Sequence, residues 1–123
     1  MAGAPIPTDM QGQSLVPLLK GQSPKNWRKS IYYHYYEYPI WHKVQPHYGI
    51  RTGRYKLIHF YYSMDEWELY DLKNDPMEMH NLASNANQQE TLNKLRAIYD
   101  QEVSNWKNER VEGHSYEIYD VLF

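Results

Sequence analysis

Four stretches of the chain have the residue types, or the alternating apolar and polar positions, of β-strands. They are residues 29–38, 49–52, 55–62 and 66–72. The first stretch ends before Pro39 and the last before Pro76, because proline has no backbone N–H to donate to a sheet. A tight turn at Thr52 and Gly53 is expected to connect the two central stretches, and a positive φ at Gly53 would suit such a hairpin turn. This pattern predicts an antiparallel sheet of about four strands.

A single amphipathic pattern of helical period follows the strands. Its apolar residues recur at three- and four-residue steps, and they are Leu92, Leu95, Tyr99, Val103 and Trp106. Asn87, with Glu90 three residues later, is the expected N-terminal cap, and Gly113 marks the expected end. Strands followed by one helix predict an α+β fold, in which a long C-terminal amphipathic helix covers one face of the small sheet.

Two shorter helical turns are also expected. Ser14 is placed to cap one turn over residues 15–19, which Gly21 would close. Asp75 is placed to cap a second turn that begins at Pro76, with Glu78 in the acidic position of a capping box. Residues 1–28 hold four of the seven prolines and lack the pattern of an independent unit. We therefore predict a linker or domain tail in residues 1–28 and one folded subdomain in residues 29–123.

Composition narrows the function classes. Thirteen tyrosines and four tryptophans give large apolar surfaces with polar tips, which suit sheet faces and wet interfaces and can also hold a sugar. The net charge of −2 argues against a general nucleic-acid binder. The absence of cysteine excludes disulfides, thiolate zinc sites and a cysteine nucleophile. No apolar stretch is long enough to predict a membrane span, and the first residues lack the pattern of a signal peptide.

Three segments of the chain have motifs that occur in the same order in one enzyme family. They are residues 9–21 (DMQGQSLVPLLKG), 47–58 (HYGIRTGRYKLI) and 68–83 (ELYDLKNDPMEMHNLA). Together they resemble the passage after the catalytic domain, the central hairpin and the C-terminal ELYDL…DPxE…NL signature of type I sulfatases, which are alkaline-phosphatase-like sulfuric ester hydrolases. The resemblance implies the C-terminal subdomain of a much longer enzyme, whose catalytic domain comes before it.

The motifs that such an enzyme uses for catalysis do not occur in this chain. In the family, the nucleophile is a formylglycine made from the first residue of C/S-x-P-x-R, and clustered acids hold calcium; the sequence has neither pattern. The resemblance thus implies calcium and formylglycine in the missing domain, with no catalytic residue and no cofactor in this chain, which alone should be inactive. His34, His42, His47 and His59 lack the helical spacing of a zinc site, and His34 and His59 are expected to fill sheet faces.

The strongest candidate for a substrate-binding surface is the segment of residues 38–51. Trp41 could stack on a sugar ring, while His42, His47 and Arg51 could bond hydroxyls or pair with sulfate and carboxylate groups. The motif H-x-G-I-R resembles that of carbohydrate sulfatases acting on glycosaminoglycan sugars, which implies that His47 contacts substrate. Structural interpretations stay open, because His47 could be a structural hydrogen-bonder, Arg51 an ion-pair partner in the sheet, and Trp41 a packing residue against the missing domain.

Two other cations lie near Arg51 in the sequence. Arg54 and Lys56 alternate with Tyr55 and Leu57, so both are expected on a solvated sheet face, in preference to a nucleic-acid platform.

The sequence thus predicts a sulfatase C-terminal domain that shapes the pocket for a sulfated glycan. The alternative is a free-standing carbohydrate-binding or protein-interaction module. Expected partners are the missing catalytic domain and a sulfated glycan, with no nucleic acid and no membrane. Self-association is also expected, through the apolar residues Leu15, Val16, Leu18, Leu19 and Trp41. The resemblance further implies an exported parent enzyme, periplasmic or extracellular.

Overall fold

The computed structural model describes residue 10 and residues 12–39 and 43–111, with side chains up to residue 105 in the last helix. The elements, in chain order, are the helical turn α1 (Val16–Leu19), the strands β1 (Ser30–Tyr35), β2 (His47–Thr52), β3 (Tyr55–Phe60) and β4 (Glu66–Asp71), a 3₁₀ turn (Ala86–Gln88) and the helix α2 (Gln89–Val111). No helix within these ranges has both the length and the apolar character needed to cross a membrane. Trp41, His42 and the side chain of Trp106 lie outside the described residues.

The strands form one antiparallel sheet in the order β1-β2-β3-β4, so each strand pairs with the next along the chain. The four predicted strands and the α+β class are confirmed. Three boundaries differ by two residues or more: β1 ends at Tyr35, before the expected residue 38, β2 begins at His47, two residues earlier than expected, and β3 ends at Phe60, two residues before the expected end. The earlier start puts His47 inside the sheet, where it pairs with Tyr35 and Phe60.

The core is a row of aliphatic side chains that crosses the sheet beneath α2. Ile50 pairs with Leu57, Leu57 pairs with Leu69, and all three are fully buried. From α2, Leu92, Leu95 and Tyr99 close this row, with Val103 packed beside them. The predicted apolar stripe of the helix is therefore confirmed at its four described positions.

The cap of the long helix differs from the expectation. Asn85, and not Asn87, accepts a hydrogen bond at its side chain, from the Asn87 N–H at 2.9 Å. The prediction of Asn87 as the cap was wrong because a 3₁₀ turn precedes the α-helix and moves the first free N–H groups two residues earlier. The side-chain amide of Gln89 also donates hydrogen bonds to the backbone carbonyls of Ala83 and Asn85, at 3.0 and 3.2 Å.

The two shorter turns have different outcomes. Gly21 closes α1 with a φ of 72°, and its N–H donates to the Leu18 carbonyl at 2.9 Å, as expected of a left-handed helix end. Ser14 accepts from the Val16 N–H at 3.3 Å. The outer residues of this turn are exposed, with 60% of Leu15 and 74% of Leu19 open to solvent. The apolar exposure expected there is present, while self-association stays a prediction.

The turn expected after Pro76 does not continue as a helix, since it has a single backbone hydrogen bond, from the Glu78 N–H to the Asp75 carbonyl at 3.1 Å. Glu78 has a φ of 55°, which breaks a right-handed turn, and the Asp75 carboxylate accepts from the His80 N–H at 2.8 Å. The Glu78 carboxylate instead forms an ion pair with Lys56, whose Nζ donates to it at 2.6 Å. A capping box was the wrong interpretation because this long-range ion pair turns the acid of Glu78 towards the sheet.

The β2–β3 hairpin is closed by a side chain. Gly53 does not have the positive φ that the sequence analysis expected. Thr52 forms the turn instead, since its hydroxyl accepts from the Tyr55 N–H at 2.9 Å and lies 3.1 Å from the Tyr55 carbonyl that it can donate to.

Arg54 and Lys56 are both ion-paired within the fold, which the expectation of a solvated face did not include; 49% of the Arg54 side chain is still exposed, whereas Lys56 is largely covered. Arg54 donates twice to Asp71, at 3.0 and 2.6 Å, and Asp71 is almost completely buried. The Asp71 carboxylate also accepts from the Lys73 N–H and the Asn74 amide, at 3.2 and 2.9 Å. Asp71 therefore ties the hairpin turn to the end of β4.

Leu95→Ala should lower the free energy of unfolding by about 2–5 kcal/mol, because it leaves a cavity beneath the helix. A domain of this size has roughly 5–15 kcal/mol in total, so the loss should appear as a clearly lower Tm in thermal unfolding. Ile98→Ala, at a position 38% exposed on the same helix, is the matched control and should change Tm much less. Equal shifts for the two variants would contradict the assigned helix face.

Low pH should destabilise the domain, because it breaks the ion pair between Arg54 and Asp71. The hydrogen bonds from Arg54 lower the pKa of Asp71 from 3.8 to about 2. A depressed pKa contributes stability that is present above about pH 4 and is lost as the pH falls through about 2. Tm measured from pH 5 to pH 2 should therefore fall more steeply for the wild type than for Arg54→Gln, in which the pair is already broken. Parallel curves would show that the pair does not contribute.

Candidate functional site

His47 and Arg51 lie on the sheet face opposite α2. Side chains alternate along each strand, and Ile50, Leu57 and Leu69 point to the helix. The opposite face therefore carries the odd-numbered residues of β1 and β2 and the even-numbered residues of β3 and β4.

His47 is held in one orientation by its neighbours. Its Nδ1 lies 2.8 Å from the Gln45 carbonyl, which can only accept, so Nδ1 carries the proton. The ring stacks on Tyr35 at 5.2 Å and lies beside Phe60 at 5.2 Å, with the edge of Tyr33 at 5.8 Å. Nε2 has no hydrogen-bond partner among the described residues. With Nδ1 carrying the proton, Nε2 could thus accept a hydrogen bond from a hydroxyl group.

Tyr33 is the site residue that the sequence analysis missed. Its ring crosses over Gly49, and a Cβ added to Gly49 would lie 2.1–2.3 Å from three atoms of the Tyr33 side chain. Burial, with smaller contributions from the Glu78 and Glu68 carboxylates, raises the pKa of Tyr33 to about 12, so the hydroxyl stays neutral at physiological pH. A glycine inside a strand was the available signal, since it often marks a close approach.

Arg51 lies at the other end of β2 from His47. Four residues along a strand separate their Cα atoms by about 13 Å, at ~3.3 Å per residue. Arg51 is exposed and lines a groove of about 380 Å³ together with residues of the segment before β1. Within the described ranges no acid forms an ion pair with it. The structure thus places His47 and Arg51 at two separate positions on the same face.

His34 and His59 fill the helix face of the sheet, as expected. The His34 ring packs at a tilt of 32° against Tyr48, with 4.2 Å between the ring centroids, and its Nε2 lies 2.7 Å from the Tyr61 hydroxyl. His59 stacks on Trp67 at 4.1 Å, and its Nε2 lies 2.7 Å from Asp65. In the described part of the chain, no three histidines or acids are grouped so as to hold a metal ion.

Residues 1–107 match the family model described as N-sulphoglucosamine sulphohydrolase, C-terminal. The chain belongs to this family of sulfatase C-terminal domains. The predicted relation to sulfatases is therefore confirmed.

Two curated relatives of this sulfatase domain come from Bacteroides thetaiotaomicron. One is an N-acetylglucosamine-6-O-sulfatase, 48% identical over 109 residues, which cover 87% of this chain and 20% of the relative. The other is a Delta 4,5-hexuronate-2-O-sulfatase, 34% identical over 114 residues, which cover 89% of this chain and 22% of the relative. The chain thus spans about a fifth of the length of these relatives.

Solved structures have the same domain fold. One protein, solved in complex with its substrate D-glucosamine-2-N,6-O-disulfate, superposes with a TM-score of 0.81 at 47% identity, over 87% of this chain and 22% of that one. A 2-O glycosaminoglycan sulfatase gives a TM-score of 0.76 at 29% identity, over 92% of this chain and 24% of that one.

Gly49→Ala should destabilise the sulfatase domain by about 1–3 kcal/mol, because the new methyl group must displace the Tyr33 ring. Thermal unfolding of the single variants and of Tyr33→Ala/Gly49→Ala tests this. In the double variant the clash is gone, so the two losses should not add. Additive losses would mean that the Tyr33 contact is not what requires glycine.

Proposed function

We propose that this C-terminal domain completes and shapes the substrate pocket of a sulfatase acting on a sulfated glycosaminoglycan sugar. The supporting observation is the 48% identity, over 109 residues, to a protein named N-acetylglucosamine-6-O-sulfatase. Because the match covers 20% of that relative, S–O bond cleavage is assigned to the remainder of such an enzyme.

The catalytic groups belong to the missing catalytic domain in this proposal. The family resemblance implies a formylglycine nucleophile and a calcium ion there. The described residues of this chain offer no group of acids or histidines that fits a metal ion. We therefore assign to this domain the binding and orientation of the substrate, and to the catalytic domain the proton transfers and the cleavage of the S–O bond.

His47 is the residue to which we assign substrate contact. Its Nδ1 is occupied by the Gln45 carbonyl, so the ring can offer only Nε2 to a sugar. The aromatic rings of Tyr35 and Phe60 restrict its orientation, and a contact that is already ordered loses less entropy on binding. Arg51, Trp41 and His42 stay proposed substrate contacts on the strength of their residue types.

A free-standing carbohydrate-binding module is the competing function. It would bind glycan through residues 38–51 without any other domain, and that binding would require His47. Location in the periplasm or outside the cell is proposed for the parent enzyme, as the family resemblance implies.

His47→Ala, made in the longer sulfatase that contains this chain, should lower kcat/KM for the natural glycan by about 2- to 100-fold. The range follows from the ~0.5–3 kcal/mol that a lost hydrogen bond to a neutral or charged group costs. A small aryl sulfate, which lacks the sugar groups, should be hydrolysed at nearly the wild-type rate. Steady-state kinetics on both substrates measure the difference.

His80→Ala is the matched control, because the His80 side chain is 80% exposed and on the far side of β4 from β2. It should change neither activity. Equal losses on both substrates for His47→Ala would indicate a folding defect, and no loss on either would return His47 to a structural role.

A further inference from the structure

A cationic groove lies between the segment before β1 and the hairpin end of β2. It has a volume of about 380 Å³, and its walls include Gln13, Trp27, Arg28, Lys29, Arg51 and Thr52. Its residues come from three separate parts of the chain, so the groove exists only in the folded domain. We propose that this groove binds an anionic group, sulfate or carboxylate, of a saccharide chain, at a site distinct from His47.

Within the segment before β1, the side-chain amide of Gln13 joins the two parts of the groove wall. The Gln13 carbonyl oxygen accepts from both the backbone N–H and the Nε of Arg28, each at 3.4 Å. Arg28 is thereby held by Gln13, a residue of the same groove. The charges that remain available to a ligand are those of Lys29 and Arg51. Both of these side chains are exposed.

The charge of the groove is not neutralised as it is elsewhere in the hairpin. Arg54 is paired with Asp71 and Lys56 with Glu78, at 2.6 Å in each case. No such ion pair to Lys29 or Arg51 exists in the part of the chain that the structure describes. One carboxylate adjoins the groove, where Glu102 accepts from the Ser30 hydroxyl at 3.0 Å. Two unpaired cations beside one acid leave a positive site on a chain whose net charge is −2.

The lining favours a saccharide as the carrier of the anion. Arg51 can bind two oxygens of a sulfate or carboxylate with its planar guanidinium, and Lys29 adds a second cation. Trp27, half-buried in the wall, offers a flat apolar surface of the kind on which sugar rings stack. A nucleic acid would require a longer row of phosphate contacts than two cations supply.

The distance to His47 makes this a second site. About 13 Å of strand separates His47 from Arg51, so one sugar ring bonded to His47 cannot also reach the groove. A glycan of several sugars can occupy both positions. The class of ligand rests on the proposed function, but binding in the groove does not require His47.

The test uses the whole chain and a size-defined heparin hexasaccharide, titrated by calorimetry at low ionic strength. Lys29→Gln and Arg51→Gln should each weaken binding by about 3- to 20-fold, because each removes a charge-assisted contact, while Arg51→Lys should lose less. Lys73→Gln, which removes the same charge from an exposed turn, should bind like the wild type. Because a hexasaccharide can also reach His47, Arg51→Gln is measured in the His47→Ala background as well, where it should weaken binding by the same factor as in the wild type. Thermal unfolding checks that every variant is folded.

Several results would overturn the proposal. They are no measurable binding, an equal loss for Lys73→Gln, an effect of Arg51→Gln that disappears in the His47→Ala background, or equal binding of the N- and O-desulfated, reacetylated and carboxyl-reduced hexasaccharide. Binding of a single-stranded oligonucleotide with equal affinity and the same dependence on Arg51 would indicate a general polyanion site, and would also overturn it. None of these results alters the kinetic test of His47 in the longer sulfatase, so the two proposals fail separately.

Discussion

The structure depends on the burial of Ile50, Leu57 and Leu69 beneath α2. These three residues face one another across β2, β3 and β4, and each contributes roughly 1.5–3 kcal/mol by leaving water. A slip of one residue in any strand would move its share of this row to the opposite face. The core therefore fixes the register of the sheet, and the register decides which side chains reach the other surface.

The motif HYGIR in β2 shows this division along one strand. Tyr48 and Ile50 belong to the helix face, where they pack in or against the core. His47, Gly49 and Arg51 alternate with them and lie on the opposite face, where Gly49 leaves room for the Tyr33 ring. One pentapeptide thus contributes to both faces of the sheet, because successive side chains of a strand point to opposite sides.

Residue types and the periodicity of apolar positions predicted the four strands and the long helix, and three motifs in the order of one enzyme family carried the resemblance to sulfatases. The errors at Arg54, Lys56 and Glu78 concern residues whose partners are distant in sequence, whereas those at Asn87 and Gly53 concern local turn geometry. Arg54 meets Asp71 across 17 positions, and Lys56 meets Glu78 across 22. Such pairs follow from strand register, which a local pattern does not define. Glu78 has the spacing of a capping box, but its contact with Lys56 in the folded sheet decides its conformation.

Ion pairing separates the cations of the hairpin into two kinds. Arg54 and Lys56 are held by acids of β4 and of the segment after it, so their charges are used within the fold. Arg51 precedes them in the same hairpin, but its strand neighbours are Ile31 and Lys56, which offer no acid. A cation without an internal partner adds nothing to the core and remains available to a ligand. This difference in partners, which composition alone cannot reveal, is why Arg51 is the arginine of this hairpin assigned to binding.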